Sequence, residues 1–179
     1  MTLATYITYS RVLLILPILY FINLGSFAGN LTALIIFLLT SITDYLDGYV
    51  ARKTNTETNL GALLDLLADK LLVCLTLIWL VKVNNSLVFT IPVIIIIFRE
   101  LVISSIRQFI IESQGRNNIA VSFMGKSKTT IQLIAVSLII ISPGLGFYFY
   151  SISLSFLWLA ALISLISLYT YLSKWKKLV

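Results

Sequence analysis

Residues 44–69 read DYLDGYVARKTNTETNLGALLDLLAD and contain four aspartates at short, regular spacings. Asp44 and Asp47 are three residues apart, and Asp65 and Asp69 are four apart, so on two helices each pair shares one face and the pairs could point at each other. A carboxylate in or beside an apolar run is costly unless it is paired or bound to a cation. Oxygen ligands in a chain without histidine favour Mg²⁺ or Mn²⁺ over zinc. The stretch therefore predicts a divalent-metal site.

Eight fixed positions of this stretch match a known signature. The pattern resembles that of the CDP-alcohol phosphatidyltransferases, membrane enzymes that make phospholipid head groups. The resemblance implies that Asp44, Asp47 and Asp65 bind two divalent ions, Mg²⁺ or Mn²⁺. It also implies that Asp69 completes the metal site and acts as the general base, so that Asp65 and Asp69 are the catalytic pair. The matching residues are Asp44, Asp47, Gly48, Ala51, Arg52, Gly61, Asp65 and Asp69.

The same resemblance assigns a CDP-binding set, namely Asp44, Gly48, Arg52 and Gly61. The residue types suit this role. Gly48 and Gly61 remove side chains beside the carboxylates, which lets a phosphate or ribose approach the backbone closely. Arg52 supplies a planar fork of donors for a phosphate.

A second stretch concerns the acceptor alcohol. Arg99-Glu100-Leu101-x-x-Ser104-x-x-Arg107, with Gly-Lys-x-Lys-Thr at residues 125–129, is similar to the corresponding region of the bacterial phosphatidylglycerophosphate synthases within that family. This similarity implies that the acceptor is glycerol 3-phosphate. The cations Arg107, Lys126 and Lys128 are expected to bind the acceptor's phosphate. Arg99 and Glu100 fall near the middle of an apolar run and should face protein or a water-filled cavity.

The composition predicts an integral membrane protein. Of 179 residues, 59% are apolar, and the mean hydropathy is +1.02, well above the roughly one-half apolar content of soluble domains. We expect an all-α, single-domain integral membrane bundle, residues 1–179, with six transmembrane helices and a short N-terminal juxtamembrane segment, residues 1–10. The expected spans are about residues 6–24, 31–50, 62–83, 87–114, 129–141 and 147–172.

Turn and capping residues predict where these spans begin and end. Asn30 is the expected N-cap of the second span, and residues 52–59 are expected to form a polar loop. Residues 84–86 are expected to form a turn. Gly115 is the expected C-cap of the fourth span, and Pro143-Gly144 should break the fifth.

The charge distribution predicts orientation. The net charge of +6 does not indicate nucleic-acid binding, because the cations are scattered between apolar runs. With six spans, ten cations lie on one side and only Lys82 on the other. By the positive-inside rule, both termini and the aspartates face the cytoplasm. The family resemblance implies the bacterial inner membrane.

Several alternatives stay open at this point. The four aspartates could form the ion site of a cation-coupled transporter. Within the enzyme class, the acceptor could be inositol phosphate, serine or a phosphatidyl lipid. CDP-diacylglycerol is the expected phosphatidyl donor, and family relatives suggest a homodimer.

Overall fold

The computed structural model describes the backbone of residues 3–54, 59–114 and 123–175, and side chains at 10–43, 67–68, 70–106, 108–109 and 129–173. These residues form six α-helices and one 3₁₀ turn, with no β-strand in the described ranges. The all-α prediction is thus confirmed. The helices are α1 (Leu3–Asn23), α2 (Phe27–Thr54), α3 (Asn59–Asn84), α4 (Leu87–Gln114), α5 (Phe123–Ile141) and α6 (Phe147–Trp175).

The predicted juxtamembrane segment is helical from Leu3 onward and is continuous with the apolar part of α1. The helix runs without interruption from Leu3 to Asn23. Residues 3–10 contain no proline or glycine, so nothing separates them from the apolar helix that follows.

The beginning of α2 also differs from the prediction. Asn30 is not the N-cap, because the helix already begins at Phe27. Ser26 caps it: the Ser26 Oγ accepts a hydrogen bond from the Gly29 N–H at 3.0 Å, and the Ser26 carbonyl accepts one from the Asn30 N–H at 2.9 Å. The chain turns immediately before this cap at Gly25, whose φ of +63° is a left-handed conformation that glycine adopts readily.

The polar connection between α2 and α3 is shorter than predicted. We expected a loop over residues 52–59, but α2 continues to Thr54 and α3 begins at Asn59. Arg52 is therefore a helical residue, and only residues 55–58 of the expected loop lie outside the described residues. Helical hydrogen bonding extends past the apolar run because no proline or glycine stops it there.

The boundaries of α4 and the break after α5 agree better with the prediction. The fourth span is confirmed as α4, and Asn85, with φ +43°, makes the predicted turn before it. The predicted break after the fifth span is the 3₁₀ turn Ser142–Gly144. However, α5 begins at Phe123 rather than near residue 129, and Gly115 lies outside the described residues.

The helices pack as a bundle in which α3 has the most neighbours. Helix α1 lies against α2 and α3, while α6 lies against α4 and α5. Helix α3 also contacts α2, α4 and α5, and α2 packs on α5. The core between them is apolar and includes Ile18, Phe37, Leu77, Phe89, Ile96, Val136, Ile139 and Leu157.

Within the residues that the structure describes, two helices are long and apolar enough to cross a membrane by length and composition. They carry the apolar stretches Leu87–Ile106 of α4 and Phe147–Ser173 of α6. Three shorter apolar stretches occur in the described residues, at Ser10–Asn23, Phe27–Thr43 and Thr129–Gly144. Membrane spanning thus has structural support for two helices, and the six-span arrangement stays a prediction.

A buried cation joins α4 to α6. Arg99 is only 7% exposed, as predicted for a charge in the middle of an apolar helix. Its Nη2 donates a hydrogen bond to the Ser167 Oγ at 2.8 Å, and its Nη1 lies 3.4 Å from the Glu100 Oε1. Glu100 is itself partly buried, so its carboxylate supplies a counter-charge for Arg99 inside the bundle.

We expect Ser167→Ala to destabilise the bundle, because a buried charged donor then loses an acceptor, at a cost of about 1 to 3 kcal/mol. The matched control is Ser155→Ala on the same helix, where the hydroxyl is exposed and donates to its own helix at the Ser151 carbonyl. Thermal unfolding in detergent should show a lower midpoint for Ser167→Ala alone. Equal midpoints for the two variants would contradict a stabilising role for this contact.

Candidate functional site

The four aspartates lie on α2 and α3 at matching distances from the connection between these helices. Asp44 is ten residues before the end of α2 and Asp69 ten residues after the start of α3, so each is about 15 Å from the connection at a rise of about 1.5 Å per residue. Asp47 and Asp65 are seven and six residues from it, or about 9 to 10 Å. Asp47 and Asp65 are thus about two helical turns from the connection, and Asp44 and Asp69 are about one turn deeper.

The two helices must run in opposite directions. Only four residues separate them in sequence, and four residues span about 14 Å at most, too little to return along a helix of about 40 Å. Because α2 and α3 also contact each other, equal distances from the connection mean similar depths. The backbone therefore brings both acidic pairs to one level of the bundle.

For several predicted site residues the structure describes the helix but not the side chain. Gly48 and Arg52 lie on α2, Gly61 on α3, Arg107 on α4, and Lys126 and Lys128 on α5. The four aspartate side chains are likewise outside the described set. Among the side chains that are described, no three acidic, histidine or cysteine residues form a group that could hold a metal.

The cations predicted to bind the acceptor phosphate come from two helices that both contact α3. Helix α4 carries Arg107 and α5 carries Lys126 and Lys128, and both helices pack against α3. Because α3 also carries Asp65 and Asp69, the fold places basic and acidic helices next to each other. This neighbourhood suits a substrate that has a phosphate at one end and a reacting group at the other.

Arg11 is a buried cation that sequence reasoning counted only as a membrane-interface charge. It is 5% exposed and lies on α1, the helix that packs against both acidic helices. The sequence signal was its position within the apolar run of α1. A guanidinium inside protein needs nearby negative charge or acceptors, and α2 and α3 carry all four aspartates.

Lys70 is a second residue that sequence reasoning missed. It follows Asp69 directly, and its Nζ donates a hydrogen bond to the Ser104 Oγ of α4. Ser104 is one helical turn before Arg107. The contact therefore joins α3, which carries Asp69, to the part of α4 that carries Arg107. The sequence signal for this role of Lys70 was its position next to an aspartate in an otherwise apolar helix.

An apolar groove opens between α2 and α5. Its volume is about 460 Å³, and it extends along α2 from Leu34 to Ile42, which is about 12 Å. That length is close to half of a hydrocarbon core of about 30 Å. Ile42 is two residues from Asp44, so the groove begins beside the acidic level. It is lined by Leu34, Leu38, Ser41, Ile42, Thr130, Leu133, Ile134, Ser137, Leu138 and Ile141.

Comparison with known proteins agrees with these features. The model of the CDP-alcohol phosphatidyltransferase family matches residues 1–167. A protein of Rickettsia felis named CDP-diacylglycerol--glycerol-3-phosphate 3-phosphatidyltransferase is 38% identical over 98% of this chain and 96% of its own length. Proteins of the same name from Rickettsia typhi and Salmonella choleraesuis are 39% and 36% identical, each over 94% of this chain and at least 92% of their own length. With a family match across almost the whole chain and relatives of this identity, the chain belongs to the CDP-alcohol phosphatidyltransferase family.

Proposed function

We propose that this protein transfers the phosphatidyl group from CDP-diacylglycerol to glycerol 3-phosphate, with formation of phosphatidylglycerophosphate and release of CMP. The proposal is supported by the positions of Asp44 and Asp47 on α2 and of Asp65 and Asp69 on α3, at matching distances from the connection between these helices. The relatives named for this reaction support the choice of both substrates.

The donor set fits two divalent cations, Mg²⁺ or Mn²⁺. Four carboxylates on two adjoining helices provide hard oxygen ligands, and the chain contains no histidine to favour zinc. When bound, such ions would neutralise the diphosphate and stabilise the charge on the attacking and leaving oxygens. We assign Asp44, Asp47, Asp65 and Asp69 to holding them.

The remaining residues bind and orient the two substrates. Arg52, on the last turn of α2, binds a phosphate of the CDP group, while Gly48 and Gly61 leave room for it beside the backbone. The acceptor hydroxyl oxygen attacks the phosphorus that carries diacylglycerol, and the bond from this phosphorus to the CMP oxygen breaks. Asp69 takes the proton of the attacking hydroxyl.

The groove between α2 and α5 fits an acyl chain of the lipid donor. It is apolar, it is about as long as one leaflet is deep, and its lining on α2 ends at Ile42, two residues before Asp44. A chain lying there would place the diphosphate at the level of the carboxylates. The phosphates of CDP-diacylglycerol would then stay in the polar part of the bundle.

We further propose a six-span topology in the bacterial inner membrane, with both termini and the aspartates on the cytoplasmic side. The support is the excess of Lys and Arg on the side that holds the connection between α2 and α3, against Lys82 on the other. Lys82 is exposed near the opposite end of α3, with its Nζ 4.1 Å from the Trp79 ring centroid. By analogy with the family, the functional unit is a homodimer.

Replacing Asp44, Asp47 or Asp65 by Asn should lower activity by orders of magnitude, because each substitution removes a charge that holds the divalent ions. The assay is Mg²⁺-dependent CMP release from CDP-diacylglycerol by purified protein. Glu100→Gln is the control, since it removes a carboxylate that pairs with Arg99 instead, and it should keep its Mg²⁺ dependence. Near-normal turnover in any of the three Asn variants would exclude that residue as a metal ligand.

Neutralising Lys126 or Lys128 should raise the apparent KM for glycerol 3-phosphate about tenfold to a hundredfold, because a charge-assisted contact to its phosphate is worth about 1.5 to 3 kcal/mol. The KM for CDP-diacylglycerol should change much less. Lys82→Gln, on an exposed lysine at the other end of the bundle, is the control. A panel of acceptors tests the assignment directly: preference for inositol phosphate or serine over glycerol 3-phosphate would contradict it.

Ile134→Trp should fill the groove and raise the KM for long-chain CDP-diacylglycerol severalfold, with a smaller effect on a short-chain analogue that does not reach that far. Ile152→Trp on α6 is the matched control, because both isoleucines are about half exposed, at 45% and 54%, and only Ile134 lines the groove. Equal effects of the two variants, or equal effects on both chain lengths, would place the acyl chain elsewhere.

A further inference from the structure

Lys70 joins two helices through a charged hydrogen bond. Its Nζ, on α3, donates to the Ser104 Oγ on α4, and both side chains are half-buried. A hydrogen bond from a charged donor is roughly twice as strong as one between neutral groups. The contact therefore limits how far α4 can slide or rotate against α3 at this level.

The level of the contact can be counted from the connection between the two helices. Only two residues separate α3 from α4 and the helices contact each other, so they run in opposite directions. Lys70 is 14 residues before the end of α3 and Ser104 is 17 residues after the start of α4, which places them about 21 and 26 Å from the connection. The lysine side chain leans toward the N-terminus of α3, away from the connection, and so covers the difference.

The two partners lie beside residues of the proposed site. Lys70 follows Asp69 directly in α3, and Arg107 is three residues after Ser104, about one turn further along α4. Counted from the same connection, Asp69 is about 23 Å away and Arg107 about 30 Å away. A separation of about 7 Å along the bundle suits a short acceptor with a phosphate at one end and the reacting hydroxyl at the other.

We propose that Lys70 is a positioning residue of the acceptor site. Through its hydrogen bond to Ser104 it holds the segment of α4 that carries Arg107 at a fixed depth beside Asp69. This inference rests on the proposed function, in which Arg107 binds the acceptor's phosphate and Asp69 takes the proton of its reacting hydroxyl. Lys70 acts through Ser104 and does not itself touch the substrate.

Loss of the contact should weaken acceptor binding in particular. Without it, the acceptor has to order the Arg107 segment of α4 when it binds, and that ordering reduces the observed affinity. Once the acceptor is bound, its phosphate holds the segment in place, so kcat should change little. The lipid donor is held by groups on α2 and α3, and its affinity does not depend on the position of α4.

The first measurement compares Ser104→Ala and Lys70→Met with the wild-type protein. Each variant should raise the KM for glycerol 3-phosphate about tenfold, whereas kcat and the KM for CDP-diacylglycerol should stay within about twofold. Because both residues act through one contact, the double variant should raise the KM no further than either single variant. If Lys70→Met does not accumulate, the Ser104 variants decide the question.

Three further serine variants separate positioning from a general loosening of the bundle. Ser104→Thr keeps a hydroxyl and should have a KM close to the wild-type value. Ser105→Ala is the matched control on the same helix, because its hydroxyl is exposed and donates to the Leu101 carbonyl, and it should leave every kinetic constant unchanged. Ser167→Ala removes another serine that accepts a hydrogen bond from a cation on a neighbouring helix; it should lower the unfolding midpoint without raising the KM for glycerol 3-phosphate.

The outcomes separate this inference from the proposed function. The positioning role is overturned by an unchanged KM for glycerol 3-phosphate in Ser104→Ala, by additive effects in the double variant, by Ser104→Thr behaving like Ser104→Ala, or by an equal rise in Ser167→Ala. Each of these results leaves the transfer to glycerol 3-phosphate in place. A wild-type protein that does not use glycerol 3-phosphate overturns the proposed function, and the positioning role with it.

Discussion

The structure depends on how charged groups are accommodated inside an apolar helical bundle. A lone carboxylate or guanidinium there is too costly to keep, so each must have a counter-charge, hydrogen-bond partners or a bound ion. Arg99 meets this requirement within the protein through Glu100 and Ser167. The four aspartates, on α2 and α3 at matching distances from the connection between these helices, would bring far more negative charge together, and divalent cations would balance it.

Helix α3 connects the acidic residues to most of the other helices. It carries Asp65 and Asp69, and it contacts α1, α2, α4 and α5. Through these contacts it lies next to the buried Arg11, the second acidic pair and the helices that carry the basic residues proposed to bind the acceptor. The hydrogen bond between Lys70 and Ser104 fixes one of these neighbours. A displacement of α3 would therefore disturb the proposed metal, donor and acceptor sites together.

The arrangement also suits a reaction between a lipid and a water-soluble alcohol phosphate. The groove between α2 and α5 is apolar and extends along α2 to Ile42, two residues before Asp44, whereas the basic residues lie near the ends of α4 and α5. An acyl chain can then lie along the bundle while the acceptor reaches the carboxylates from the polar end.

The sequence by itself determined the all-α class, the family, the four aspartates and the boundaries of α4, because these depend on local hydropathy, fixed spacing and turn residues. Local signals were less reliable at helix ends, where Ser26 rather than Asn30 caps α2 and α5 begins before Lys126. Only the tertiary structure decided that Arg11 is buried, that Lys70 reaches Ser104 and that α2 and α5 form an apolar groove. Each of these facts depends on which helix faces which, and helix packing is set by contacts between residues far apart in the chain.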